Sequence, residues 1–113
     1  MTPNGTLTAE VDPEDDRVEF TFTVENAGDD PIDLQFSDAQ EADLAIADAD
    51  GDEVWRWSVG RMFAQMLQQK TMAPGETTTY DFEWEDPTTG KYEATATLEA
   101  TNVDCEASTS FDV

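Results

Sequence analysis

The sequence predicts an all-β fold, an antiparallel β-sandwich of about eight short strands. Apolar and polar residues alternate along most of the 113-residue chain, as they do in strands that bury one face. Clusters of residues that favour turns separate the alternating segments. A chain of this length suits a single domain over residues 1–113.

The alternation defines the expected strands in order along the chain. It is most regular in residues 17–25, where every second residue is Val or Phe and the residues between are charged or hydroxyl-bearing. The inward apolar residues of the predicted strands, apart from the hairpin below, are Leu7, Ala9 and Val11; Val18, Phe20, Phe22 and Val24; Ile32, Leu34 and Phe36; Tyr80, Phe82 and Trp84; Tyr92, Ala94, Ala96 and Leu98; and Phe111 and Val113.

A hairpin is predicted around Asp50 and Gly51, a dipeptide typical of two-residue turns. In the register set by that turn, the large apolar side chains of both strands share one face and Arg56 lies on the other. The predicted opposite pairs are Ala47 with Val54, Ile46 with Trp55, and Leu44 with Trp57.

One segment departs from the alternation. Residues 60–67 place Met62, Phe63, Met66 and Leu67 at helical spacing, so we expect one or two helical turns there. A segment this short cannot bury all of its sides, and any Met or Phe left exposed would suit a protein partner.

The charge limits the partners that this chain can have. There are 27 acidic and five basic residues, which give a formal net charge of −22. Such a surface repels phosphate backbones and anionic lipids, so we expect neither nucleic-acid nor membrane binding. The acidic residues are interleaved with 38% apolar residues, which favours a folded protein of a salt-loving organism over a disordered chain.

Several kinds of chemistry are absent from the sequence. The chain has no histidine, which removes the Ser-His-Asp triad, the Cys-His pair and His-ligated zinc. The acidic run 48–52 lacks carboxylates at the first and last positions of a calcium loop, so we interpret it as a turn. We therefore expect no enzyme activity, no cofactor and no metal. A single cysteine, Cys105, cannot form an internal disulfide and indicates a reducing cytoplasmic location.

Two segments carry a family resemblance. The first is Phe36-Ser37-Asp38-Ala39-Gln40-Glu41-Ala42-Asp43-Leu44, followed by Asp48-x-x-Gly51-x-x-Val54-Trp55-Arg56-Trp57-Ser58-x-Gly60-x-x-Phe63-x-Gln65. The second is Met72-Ala73-Pro74-Gly75-Glu76, with Tyr80-x-x-x-Trp84 and Gly90-x-Tyr92-x-x-x-Ala96-x-Leu98. Together they resemble the bacillus-type intracellular proteinase inhibitor (BsuPI) family over residues 7–100.

The resemblance implies an immunoglobulin-like β-sandwich that inhibits an intracellular subtilisin-type serine protease. The alternative is an accessory or structural sandwich of a halophile with no protease target. If the chain inhibits, we expect an exposed loop to occlude the protease cleft, and the candidate loops are residues 37–41 and 58–67. The expected contact residues are Arg56, Met62, Phe63, Gln65 and Met66.

Overall fold

The computed structural model describes residues 3–113, which contain nine β-strands and no helix. Within this range no helix is long and apolar enough to cross a membrane. The strands are β1 (Asn4–Asp12), β2 (Arg17–Glu25), β3 (Ile32–Phe36), β4 (Ala42–Asp48), β5 (Glu53–Arg56), β6 (Gln68–Met72), β7 (Thr77–Glu85), β8 (Lys91–Leu98) and β9 (Glu106–Asp112).

The strands form antiparallel sheets that pack as a sandwich. β1, β2 and β7 make one sheet, with β2 in the centre. β5, β4, β8 and β9 make the second sheet in that order, and β3 pairs with β6. β1 also packs beside β9, which closes one side of the sandwich. β7 and β5 are the outer strands on the opposite side, and we call this the open side.

Aromatic side chains fill the space between the two larger sheets. Phe20 and Phe22 are fully buried on β2, and Leu44 and Ile46 are fully buried on β4. These inward residues are the ones that the alternation predicts. Aromatic contacts across the core, with distances between ring centroids, are Phe20 to Phe111 (5.3 Å), Trp57 to Phe82 (5.2 Å) and Trp84 to Tyr92 (5.0 Å).

The predicted hairpin forms between β4 and β5, and its register is confirmed where Ile46 lies opposite Trp55. The N–H of Trp57 also donates to the carbonyl of Leu44 at 2.9 Å, in agreement with the third predicted pair. Trp55 and Trp57 are half-buried against the core.

The pairing of Ala47 with Val54 is wrong. A β-bulge after Ile46 places Glu53 opposite Ala47 and leaves Val54 exposed. The bulge follows from a turn longer than two residues, in which the N–H of Asp48 donates to the carbonyl of Asp52 at 2.9 Å.

The predicted helical turn at residues 60–67 is also wrong. Residues 57–60 form a turn, and residues 61–67 have no regular secondary structure. A short helix needs a buried face to stabilise it, and here Phe63 alone of the apolar residues at helical spacing is half-buried.

β6 is a strand that the apolar pattern does not predict. Met72 is its only buried residue, so the segment shows no alternation of apolar side chains. β6 is held by pairing with β3. The connection from β5 to β6 passes the open side, where Trp57 and Arg61 line a groove together with residues of β7.

Candidate protein-binding site

The Trp-Arg-Trp-Ser segment is anchored by Asp43, a buried carboxylate on β4. One carboxylate oxygen, Oδ2, accepts hydrogen bonds from the Arg56 guanidinium at 3.1 Å and from the Ser58 hydroxyl at 2.7 Å. The other, Oδ1, accepts from the backbone N–H groups of Ser58 at 3.1 Å and Leu44 at 2.9 Å. Asp43 thus fixes the point at which the chain leaves β5.

Arg56 is part of this anchor. Its second guanidinium nitrogen lies 2.7 Å from Glu53, and hydrogen bonds to Glu53 and then to Asp43 raise the pKa of Arg56. Its side chain is 40% exposed. The structure therefore gives Arg56 two carboxylate partners within the domain.

A turn over residues 57–60 directs the chain away from the sheet. Gly60 has a φ of 83°, a conformation that glycine adopts without steric cost. After the turn, Arg61 donates to the carbonyl of Trp57 at 2.9 Å, and its guanidinium carbon lies 4.3 Å from the centroid of the Trp57 ring. The cation–π contact with Trp57 is therefore made by Arg61.

Residues 58–67, which we call the apolar loop, expose large apolar side chains. Met62 is 98% exposed, Leu67 86%, Val59 73% and Met66 55%. Gln65 is also exposed. Phe63 turns inward, with its ring centroid 5.8 Å from that of Trp57. Of the predicted contact residues, Met62, Gln65 and Met66 are therefore exposed on this loop. Phe63 and Arg56 instead make contacts within the sandwich.

The second candidate loop, residues 37–41, lies beside the apolar loop. The N–H of Ala39 donates to the carbonyl of Ala64 at 2.9 Å, and the side-chain amide of Gln68 donates to the carbonyl of Asp38 at 3.0 Å. The sequence offered the two loops as separate candidates. The structure joins them into one surface.

Glu41 connects this surface to β6 and β7. Its Oε1 lies 2.7 Å from Lys70 Nζ and accepts a hydrogen bond from the Tyr80 hydroxyl at 2.9 Å. Burial, and then the hydrogen bond to Glu41, raise the pKa of Tyr80, so its hydroxyl stays protonated and donates. Burial also raises the pKa of Glu99, with Asp43 adding to the rise and Arg56 opposing it.

The described residues offer little for catalysis. Cys105 is buried, and burial raises the pKa of its thiol, which keeps it in the unreactive neutral form. Among residues 3–113, no group of three or more acidic or cysteine side chains is arranged to hold a metal ion.

Comparison with known protein families gives a match over most of the chain. A family model described as "Intracellular proteinase inhibitor" matches residues 5–103. A search of curated protein sequences found no match.

Solved structures show the same fold at low identity. The CARDB domain of a Pyrococcus furiosus protein, determined by NMR, is 15% identical with a TM-score of 0.53, and the alignment covers 99% of this chain and 95% of that one. A crystal structure of that domain with di-metal ions, also 15% identical, gives a TM-score of 0.51 over 99% and 89% of the two chains. A penta-heme cytochrome c552 from Thermochromatium tepidum is 10% identical with a TM-score of 0.60, and the alignment covers 97% of this chain but 40% of that one. The predicted immunoglobulin-like sandwich is confirmed.

Proposed function

The chain belongs to the intracellular proteinase inhibitor (BsuPI) family, and from this premise we propose that it is a non-enzymatic domain that blocks an intracellular subtilisin-type serine protease. The fold supplies a rigid support, and the apolar loop supplies the contact. A cytoplasmic location fits the family description and the free thiol of Cys105.

The exposure of the apolar loop carries this proposal. The domain has a net charge of −22, and most of its exposed residues are polar or charged. Four large apolar side chains are nevertheless exposed to solvent within nine residues, at positions 59, 62, 66 and 67. Exposed apolar clusters with polar surroundings are typical of protein contact sites.

The contacts that hold the apolar loop in place suit an inhibitor. Its N-terminal end is fixed by the hydrogen bonds of Asp43, its middle by the Phe63 ring and the Ala39–Ala64 hydrogen bond, and its C-terminal end by β6. A loop held at three points loses little conformational entropy on binding, which strengthens the complex.

The irregular path of residues 61–67 also fits a substrate-like mode of binding. Met66 and Leu67 have the side-chain size and polarity that a hydrophobic subtilisin-type pocket accepts. A helical turn would have to open before entering a protease cleft, whereas this segment has no helical hydrogen bonds to break. We propose that the loop occludes the cleft reversibly, without a covalent bond or a metal.

The test is inhibition of a subtilisin-type protease from the same source by the domain carrying Met62→Ser and Met66→Ser. We expect inhibition to weaken tenfold or more, which corresponds to about 1.4 kcal/mol. Val54→Ser is the matched control, because Val54 is an exposed apolar residue outside the loop. It should leave the inhibition constant unchanged.

The same assay separates this proposal from its alternative. If the unmodified domain at micromolar concentration slows no subtilisin-type protease from that source, the inhibitor proposal is wrong, and the accessory sandwich is the better description. If it inhibits but the double variant inhibits equally well, the apolar loop is not the contact site.

A further inference from the structure

Along one edge of β7, the backbone N–H and carbonyl groups form no hydrogen bonds with another described strand. The N–H of Asn26 donates to the carbonyl of Glu76 just beyond one end of the β2–β7 pair, and the N–H of Asp86 donates to the carbonyl of Asp16 just beyond the other. The register between these ends is continuous. Hydrogen-bonded pairs alternate along an antiparallel ladder, so residues 78, 80, 82 and 84 bond to β2, and the backbone groups of residues 79, 81 and 83 point outward. Within residues 3–113, these outward groups have no hydrogen-bond partner.

This edge is unusually well formed for an outer strand. β7 has nine residues, and residues 79, 81 and 83 are exposed. It contains no proline, lysine or β-bulge, which commonly protect sheet edges from pairing. Its charged residues, Asp81, Glu83 and Glu85, are all acidic, so they oppose pairing with an acidic strand and favour pairing with a basic one.

An open groove of about 1060 Å³ runs beside the edge on the open side. Trp55 and Trp57 lie on its wall together with Phe82, and these rings offer apolar contact to side chains that point toward the core. Arg61 also lines the groove, with its guanidinium over one face of the Trp57 ring. A smaller depression continues the groove past Trp57 to Phe63 and the 37–41 loop. The groove therefore offers unpaired backbone groups along an apolar wall.

The outer face of the same edge is acidic. Asp81, Glu83 and Glu85 point outward from β7, and Glu19 and Glu10 continue the acidic surface across β2 and β1. Arg17 lies opposite Glu85 and forms ion pairs with Glu19 at 3.3 Å and Glu83 at 4.0 Å, which leaves the acids in excess. A strand added to β7 would place alternate side chains opposite these carboxylates, where cross-strand pairs of opposite charge are stabilising.

We infer that the β7 edge binds an extended polypeptide segment in which basic residues alternate with apolar residues. The backbone of the segment pairs with residues 79, 81 and 83, its basic side chains face Asp81 and Glu83, and its apolar side chains face Trp57 and Phe82. This is recognition by strand addition, in which backbone bonds give affinity and alternate side chains give specificity. The inference does not rest on protease inhibition.

The charges argue against a second copy of this chain as the occupant. Pairing of two β7 edges would place Asp81, Glu83 and Glu85 of one copy beside the same residues of the other. Like charges opposite each other across strands are destabilising.

The probe is a synthetic peptide of alternating valine and lysine, about eight residues long and blocked at both ends. We expect it to change the tryptophan fluorescence of the domain on binding and to slow hydrogen exchange at the N–H groups of residues 79, 81 and 83. A peptide of alternating valine and glutamate should bind at least tenfold more weakly. The salt concentration is the lowest at which the domain is folded, because salt screens the charge contribution.

Two N-methylated forms of the valine–lysine peptide test the backbone contact without altering the domain. One form is methylated at the lysines and the other at the valines, so each removes the N–H groups on one side of the added strand. One form should lose binding and the other should keep it, because only one side of the added strand faces β7.

On the protein side, the double variant Asp81→Lys and Glu83→Lys should reverse the preference in favour of the valine–glutamate peptide. Asp33→Lys with Glu106→Lys gives the matched control, since both are exposed acids on other strands and the charge change is equal. The inference is wrong if the two methylated peptides bind equally, if the charge reversal does not change the preference, or if the exchange protection appears outside β7. Self-association of the domain through protected β7 amides would identify a second copy as the occupant and overturn it.

Discussion

At the scale of single residues, Asp43 determines how the Trp-Arg-Trp-Ser segment is held. It is 5% exposed, and its two oxygens accept four hydrogen bonds. The sequence contained a signal for this role: in the predicted register Arg56 lies opposite Ala45, so Asp43 is its diagonal neighbour on the same face. That signal points to a contact between Asp43 and Arg56, but it does not predict that Asp43 would be buried.

Replacement of Asp43 by alanine should therefore destabilise the fold. We expect a loss of about 3 kcal/mol, because two backbone N–H groups and the Arg56 guanidinium lose their shared acceptor. Urea unfolding followed by tryptophan fluorescence measures the change. Glu53→Ala removes the exposed partner of Arg56 and should lower the free energy of unfolding by less than about 1 kcal/mol. Equal losses for the two variants would contradict the role given to Asp43.

Cys105 gives a second prediction at this scale. The Cys105 sulfur lies close to Gly5, since a Cβ added to Gly5 would be 3.0 Å from it. Burial raises the pKa of the thiol above its ordinary value of about 9. Below pH 9 the folded protein holds the thiol neutral, so reaction with an aromatic disulfide reagent at pH 8 should be at least about tenfold slower than in denaturant. Because the folded pKa is raised, this residue contributes no change in stability below pH 9 and lowers stability as the pH rises above it. Equal reaction rates in the folded and unfolded protein would show that the thiol is accessible.

At the scale of the elements, the turn at Gly60 sets the direction of the apolar loop. Gly60→Ala places a Cβ on a residue with positive φ, which costs about 1 kcal/mol. Gly60→Asn should cost less, because asparagine tolerates this conformation. Thermal unfolding measures both variants. If alanine were no worse than asparagine, the left-handed conformation at residue 60 would not exist in solution.

The elements also show what the sequence can and cannot predict. The strands with inward Phe, Val and Leu residues were predictable, because burial of one face imposes a period of two. β6 was not, because it is held by backbone pairing with β3 and has one buried side chain. The apolar loop was misread as helical, since spacing alone does not reveal whether the apolar residues have anything to pack against. The exposed edge of β7 follows from the order of strands in the sheet, which no local pattern encodes.

At the scale of the whole molecule, charge is the dominant feature. The surface of 6763 Å² carries a net charge of −22, or one negative charge for roughly 300 Å². The repulsion is partly local, because Glu10, Glu19 and Glu83 lie directly opposite one another across three adjacent strands and share one cation, Arg17, which forms ion pairs with Glu19 and Glu83. Like charges in such positions are destabilising.

Stability should therefore rise with salt. Between roughly 0.1 M and 2 M potassium chloride we expect Tm to increase by about 10 °C, because the screening length falls from about 10 Å to below 3 Å. Glu19→Gln should raise Tm at the low concentration and have a smaller effect at the high one. A Tm independent of salt would contradict both the role of repulsion and the halophilic origin proposed for the chain.

The contact of β1 with β9 has a consequence for synthesis on the ribosome. β1 and β9 lie side by side, and β4 pairs with β8 across more than 40 intervening residues. The sandwich cannot close until β9 has emerged, so the apolar strand faces of this domain stay uncovered while its strands are being translated. During that interval the acidic side chains that alternate with the core residues are the main protection against aggregation, so the charge that weakens the finished fold at low salt keeps the unfinished chain soluble.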